Sequence, residues 1–318
     1  MSAADQPPLF DLQGHRGARG LKPENTLPAF EVAFDLGVTS VETDVHLTAD
    51  GIPILFHDHN ISDRICRPVR GTDGIAPGQN PQISSLTLSQ MRQYCADRNP
   101  DPNRFPHQDN ETTPLAVWFA QRQGIDVFTP LTLADLLAFA IAYAGEPGRM
   151  VGKTDKQQAR ARTIRFDLEL KRVPFRPGVI ADAFDGRTPS ILEQRVIEIV
   201  RESNMTDRVC FRSFDHRCVR SLGELAPEVS RAILVAETAP VAPSDLIRRA
   251  GATVYCPHVE FLDELQVKQI HDEGFQVIPW TVNDPVDWQK LLEWGVDGIT
   301  TDFPDRLAEL LSARGIAY

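Results

Sequence analysis

Short apolar runs of strand character alternate with longer stretches of helical periodicity along most of the chain. That alternation is the pattern of a parallel sheet or barrel. Strands are predicted at 9–13, 40–47, 52–57, 164–170, 208–214, 231–236, 253–257, 275–281 and 298–301. Helices are predicted at 27–36, 133–144, 190–202, 216–225, 243–250, 262–273, 285–294 and 304–314. Thr132 and Asp284 stand where N-caps belong, and Gly37, Gly251 and Gly274 directly follow three of the helices.

Nine strands are one too many for a (β/α)8 barrel, and the extra one can be located. The link at 48–51 is far too short for a parallel crossover, which takes about a dozen residues. The run at 52–57 is therefore expected to fold back antiparallel on the second strand, with Asp50 and Gly51 in the turn. Leu47 would then pair with Ile52, and His57 would lie opposite Glu42. The predicted fold is α/β: a TIM barrel over 9–314, with a subdomain inserted after the second strand at about 60–130. The insertion is rich in Pro, Gly, Asn and Asp, with helical patches at 89–95 and 115–123. A structureless loop of that length is improbable in a compact domain. The insertion leaves from the C-terminal side of a strand, where barrel active sites form.

Composition narrows the class. With 42% hydrophobic and 24% charged residues, the chain is not a disordered tail, a coiled coil or a collagen-like fibre. No apolar run approaches the roughly 18–20 residues that cross a bilayer. A formal charge of −11 argues against nucleic acid as a partner. A phosphate-bearing substrate would need a local basic spot or a metal ion. Five cysteines with no C-x-x-C pair give no zinc knuckle or thioredoxin motif. Cys66 and Cys95, in the irregular insertion, are the expected pair to be bridged if the protein is exported. Residues 1–8 have no basic start and no apolar stretch, so no signal peptide is expected in this chain. The expected compartment is cytoplasmic if Met1 is the native start, and periplasmic or exported if a signal has been removed.

The candidate chemistry sits at strand ends. The first strand runs into Gly14-His15-Arg16-Gly17, an acid/base group beside an anion clamp, flanked by glycines that let a ligand approach the backbone. In Val41-Glu42-Thr43-Asp44-Val45 the two carboxylates share one face. Side by side they repel unless a cation lies between them. Asp167, Glu169 and Lys171 repeat the alternation on another strand. Carboxylates from neighbouring strands suit Mg²⁺ or Ca²⁺ better than zinc. His57 is placed beside the acid pair as an acid/base partner, whereas His46 and His59 are read as structural or surface groups. Glu24 and Asn25 precede the first helix, where a structural role is favoured.

The chain resembles the glycerophosphodiester phosphodiesterases. The resemblance lies in Gly14-His15-Arg16-Gly17, Pro23-Glu24-Asn25-Thr26, Glu42-x-Asp44-Val45, His57-Asp58, Leu168-Glu169-Leu170-Lys171, Ser213-Phe214, Pro279-Trp280-Thr281 and Asp297-Gly298-Ile299-Thr300-Thr301-Asp302. It implies a TIM barrel that hydrolyses glycerophosphodiesters to sn-glycerol 3-phosphate and an alcohol. It further implies one divalent cation on Glu42, Asp44 and Glu169, with His15 and His57 as general acid and base. Arg16 and Lys171 would contact the phosphate, and Trp280 the substrate. After the His-Asp pair, Ile61-Ser62-Asp63-Arg64-Ile65-Cys66 keeps only the arginine of the family's usual run, which bears on the alcohol side of the substrate. The alternatives are a phospholipase D-type enzyme on lysolipids or sphingolipids, and a phosphodiester-binding protein without catalysis. The expected route is attack by the neighbouring glycerol hydroxyl, through a cyclic glycerol phosphate.

Overall fold

The computed structural model describes residues 9–69, 71 and 79–318. Residues 1–8, whose composition lacks a signal-peptide pattern, lie outside the described residues. Eleven strands occur among the described residues: β1 Asp11–Gly14, β2 Ser40–Leu47, β3 Pro53–Leu55, β4 Arg67–Pro68, β5 Tyr94–Cys95, β6 Arg165–Leu170, β7 Val209–Ser213, β8 Ser230–Val235, β9 Val254–Pro257, β10 Gln276–Val277 and β11 Gly298–Thr301. Eight of them run side by side in the order β10-β9-β8-β7-β6-β2-β1-β11, and their ladders are parallel.

Pro279 has no N–H to give, so the ladder of β10 is short. The segment after it still closes the ring. Asp297 N donates to Val277 O, Thr300 N to Pro279 O and Val282 N to Thr300 O, each at 3.0 Å. The result is an eight-stranded parallel barrel with helices outside, a TIM barrel. All eight residues of β2 are buried, as a strand covered on both faces must be.

β3 does fold back antiparallel on β2, but one residue out of the expected register. Val45 pairs with Leu55, His46 with Ile54 and Leu47 with Pro53. The turn is the reason. Thr48 N bonds Ile52 O at 3.0 Å, leaving a three-residue loop whose last member, Gly51, has φ +76°. That is a turn followed by a left-handed bulge residue, and it shifts the pairing by one. Leu47 therefore does not pair with Ile52, and His57 does not stand opposite Glu42. The ladder ends at Leu55, and His57 reaches the site from the irregular segment beyond it.

The insertion divides its loyalties. Ile61, Ile65, Ile83, Met91 and Tyr94 pack with Ile54 and Phe56 in a small second core, and β4 pairs with β5 antiparallel. The helix Pro114–Gln123 instead enters the main core through Leu115, Ala116 and Phe119. The helical patch expected at 89–95 is the short helix Leu88–Met91 followed by β5. Cys66 and Cys95 are free, buried thiols, and burial pushes Cys95 up to about 12. No helix among the described residues is long and apolar enough to cross a membrane.

Candidate active site

Three carboxylates meet at the C-terminal end of the barrel. Asp44 and Glu169 are register partners across β2 and β6, and Glu42 lies two residues below Asp44 on the same inward face. One oxygen from each of Glu42, Asp44 and Glu169 lies within 4.8 Å of the others, and all three residues are buried. This is the only such group of possible metal ligands among the described residues. Asp44 Oδ1 accepts no hydrogen bond although it is buried; Lys171 Nζ is 3.3 Å away. An all-oxygen donor set with an unspent buried lone pair fits a hard divalent cation.

The loop after β1 supplies the cationic wall. Gly17 allows it to turn close to the first helix. Its φ is +84°, and a Cβ there would lie 2.7 Å from the Ala29 carbonyl carbon. Arg16, itself at φ +52°, donates its backbone N–H to Glu42 Oε2 at 3.1 Å. Its guanidinium reaches Glu24 at 2.8 Å and Asp44 at 3.2 Å. Lys171 sits 2.8 Å from Glu169. Glu24 also takes Arg19 at 2.6 Å, and Asn25 donates to Asp44 Oδ2 at 3.0 Å. Glu24 and Asn25 thus belong to the site's own network, beyond the structural role expected of them, and Thr26 is the helix cap.

These contacts split the two neighbouring acids. Burial pushes both carboxyls upward. Asp44 faces Arg16 and Lys171 and is held well below the usual range. Glu42 has Asp44 beside it, and the combination of burial and that neighbour raises it to about 8. Arg212, from β7, partly offsets this by reaching Glu42 Oε1 at 3.2 Å and Asp167 at 3.2 Å.

The two histidines differ in setting. His15 is buried, with Nε2 3.7 Å from Glu42 and Nδ1 2.6 Å from Asp302. Burial and Arg16 hold it down to about 4 despite that carboxylate. Asp302 sets the orientation of its ring. His57 is more open, and its Nδ1 lies 2.8 Å from Asp58. It lines a cleft of about 600 Å³ together with Glu169, Lys171, Ser62, Pro174 and Phe214. His46 is buried behind it, 3.4 Å from the His57 carbonyl oxygen. Trp280 stands one ring back from the cleft, edge-on to Phe214 at 5.4 Å, with its N–H bonded to Cys256 O.

Sequence reasoning did not assign Arg212, Asp302 or Arg19 to the site. A charged residue directly after the apolar Val209-Cys210-Phe211 run of β7 was the available signal for Arg212. Asp302 lies just past the last strand, on the same mouth as His15.

A parallel barrel with carboxylates converging at the C-terminal ends of its strands, flanked by histidines and fixed cations, defines a hydrolase barrel built for a phosphate ester. The chain belongs to the glycerophosphoryl diester phosphodiesterase family, whose model matches residues 15–306; it is a phosphoric diester hydrolase. It is 25% identical to a glycerophosphodiester phosphodiesterase of Caldanaerobacter subterraneus subsp. tengcongensis, across 95% of this chain and 97% of that one. Its identity to the uncharacterised Bacillus subtilis protein YqiK is 27%, over 95% of this chain and 99% of that protein. Among solved structures, a candidate glycerophosphoryl diester phosphodiesterase from Silicibacter pomeroyi matches with a TM-score of 0.78 and 27% identity, covering 98% of this chain and 96% of that one. An Oleispira antarctica phosphodiesterase in complex with the product sn-glycerol-3-phosphate shares the fold, with a TM-score of 0.68 and 22% identity, over 97% and 98% of the two chains.

Proposed function

We propose that the protein hydrolyses glycerophosphodiesters to sn-glycerol 3-phosphate and an alcohol, with one Mg²⁺ or Ca²⁺ held by Glu42, Asp44 and Glu169. The observation that carries this reading is the buried three-carboxylate cluster at the barrel mouth, in a chain of this family. The cation, when bound, withdraws charge from the phosphate oxygens and makes a neighbouring hydroxyl more acidic. Arg16 and Lys171, already placed against Asp44, take the remaining phosphate charge. One of His15 and His57 accepts the proton of the glycerol hydroxyl beside the phosphorylated carbon. The other gives a proton to the departing alcohol oxygen as its bond to phosphorus breaks. The product of that step is a cyclic glycerol phosphate, which water opens with the histidines' roles reversed. A second reading, a monoacyl glycerophosphodiester as substrate, is favoured by the apolar wall of Val173, Pro174 and Phe214 and by Phe175 beyond it, 86% exposed.

The test is release of sn-glycerol 3-phosphate from a panel of glycerophosphodiesters and lysolipids, with and without EDTA. Chelation and Glu42→Gln should each abolish turnover while the circular dichroism spectrum is retained. His15→Ala and His57→Ala should each lower kcat by about 10²–10⁴-fold. Unchanged turnover in EDTA would overturn the cation. An analogue lacking the neighbouring hydroxyl should be cleaved far more slowly, and equal cleavage would replace the cyclic route with direct attack by water.

A further inference from the structure

Asp302 is fully buried and carries more than His15. Its Oδ1 meets His15 Nδ1 at 2.6 Å, with Arg19 at 3.8 Å. Its Oδ2 receives Asn283 Nδ2 at 2.7 Å and Arg104 at 2.9 Å. Asn283 is fixed in turn, since its Oδ1 accepts the Asp302 backbone N–H at 2.9 Å. His15, Arg19, Asn283 and Asp302 all come from the barrel and its loops. Arg104 comes from the insertion.

The segment that carries Arg104 is laid along the loop after β1. Phe105 is buried against Phe303, the residue after Asp302, with ring centroids 6.2 Å apart. Arg19 and Arg104 both stack on the Phe105 ring, at 4.8 and 5.2 Å from its centroid. Gln108 Nε2 donates to Arg19 O at 2.6 Å, Asp109 N to Leu21 O at 3.1 Å, and Asp109 pairs with Lys22. Decoration of the barrel surface would not need a buried ring beside Asp302 and a guanidinium on its outer oxygen.

We infer that Arg104 is a positioning residue for His15. It clamps Oδ2 of Asp302, so that Oδ1 holds the His15 ring with Nε2 turned toward Glu42, and the insertion thereby completes the catalytic centre. The inference rests on the proposed role of His15. The physical content is a donor count. With Arg104 present, Oδ2 of Asp302 receives two donors from separate parts of the chain, Asn283 and the insertion, and both resist rotation of the carboxylate plane. Without it, Oδ2 keeps Asn283 alone, and the geometry of the Oδ1 hydrogen bond loosens. Partners hydrogen-bonded directly to a metal-ligating histidine typically matter by about 10–100-fold, and Arg104, which acts on His15 one bond further out, is expected at the lower end of that range. Arg104 is 46% exposed, so its truncation opens no cavity in the core.

The experiment is steady-state kinetics on glycerophosphocholine with Arg104→Gln, Arg104→Lys, His15→Ala and the His15→Ala/Arg104→Gln double variant, alongside thermal melts. The inference expects Arg104→Gln to lower kcat about ten-fold with KM and melting temperature close to wild type. Lysine should recover part of the loss, because it keeps the charge but not the planar fork. In the His15→Ala background, Arg104→Gln should cost nothing further. An unchanged kcat in Arg104→Gln, with His15→Ala inactive, would overturn the inference and leave the role of His15 standing. A rise in KM with kcat intact would overturn it in favour of direct substrate contact. Full activity in His15→Ala would remove the reading beneath it.

Discussion

Arg212 shows what it takes to keep charge inside this barrel. Its two arms bridge Glu42 and Asp167, and Gln13 links Asp167 to Asp11 and Thr300, so the carboxylates below the cluster are partnered. Removing one member of such a buried pair typically costs about 3–5 kcal/mol, because the other is left uncompensated. His46 follows the opposite strategy and stays neutral. Burial, then Lys171 and His59, hold it down to about 3 from an ordinary 6.5. Between these values the unfolded chain binds a proton that the folded chain refuses. The His46 contribution to stability is therefore complete above pH 6.5 and is lost as pH falls toward 3, by about 1.4 kcal/mol per pH unit. His46→Asn should make the unfolding free energy less steep in pH by one proton over that window, as read from urea titrations at a series of pH values. An identical slope in the variant would mean that His46 is protonated in the folded protein.

Two glycines separate the ways an element can depend on its ends. Gly37 closes the helix Leu27–Leu36 at φ +74°, and an added Cβ there meets nothing within 4 Å. Gly37→Ala should therefore cost only its backbone strain, about 1 kcal/mol, with kcat unchanged. Gly17 has both a positive φ and a Cβ position 2.7–2.9 Å from Ala29. Gly17→Ala has to push the loop off the helix, and that loop carries His15 and Arg16. It should lose activity well beyond its loss of stability, a comparison that denaturant unfolding and kcat measured on the same samples will make. Activity retained in Gly17→Ala would show that the loop can shift without moving His15. The β2–β3 hairpin teaches a related point: one left-handed residue, Gly51, set a register that pairing counted from the strand ends had missed by one.

At the scale of the molecule, the carboxylate cluster exists only when β2 and β6 are paired. The unfolded chain has no equivalent site, so a cation bound at the proposed site would be linked to folding and would stabilise by RT ln(1 + [L]/Kd), about 2.7 kcal/mol at a hundred-fold excess over Kd. Adding Mg²⁺ or Ca²⁺ to chelated protein should raise the melting temperature, and Glu42→Gln should remove most of that rise. A wild-type melting temperature that ignores both ions would contradict the proposed site without reference to turnover. The insertion enters this balance as well, since Ile61, Ile65, Ile83, Met91 and Tyr94 form a small core against β3 while Phe105 and Arg104 tie the following stretch to the barrel mouth.

Local periodicity was enough to reveal the alternation of strands and helices. It was also enough to place Glu42 and Asp44 on one face, because side-chain direction along a strand depends only on neighbouring residues. β2, β11 and helices such as Leu133–Ala144 and Pro285–Trp294 occupy the spans their patterns predict, since their caps and their apolar faces give the same answer. His15, Glu169 and Lys171 lie beside recognisable strand ends for the same reason, whereas His57 was placed through a hairpin register that the structure shifts by one. The partnerships that complete the site were not. His15 and Asp302 are 287 residues apart, and Arg104 and Asp302 198 apart. These partners meet only when the last strand closes on the first and the insertion folds back over the loop between them. No periodicity records which distant side chain arrives at which oxygen. Ring closure and the path of the inserted chain decide it, through packing that a single strand or helix does not contain.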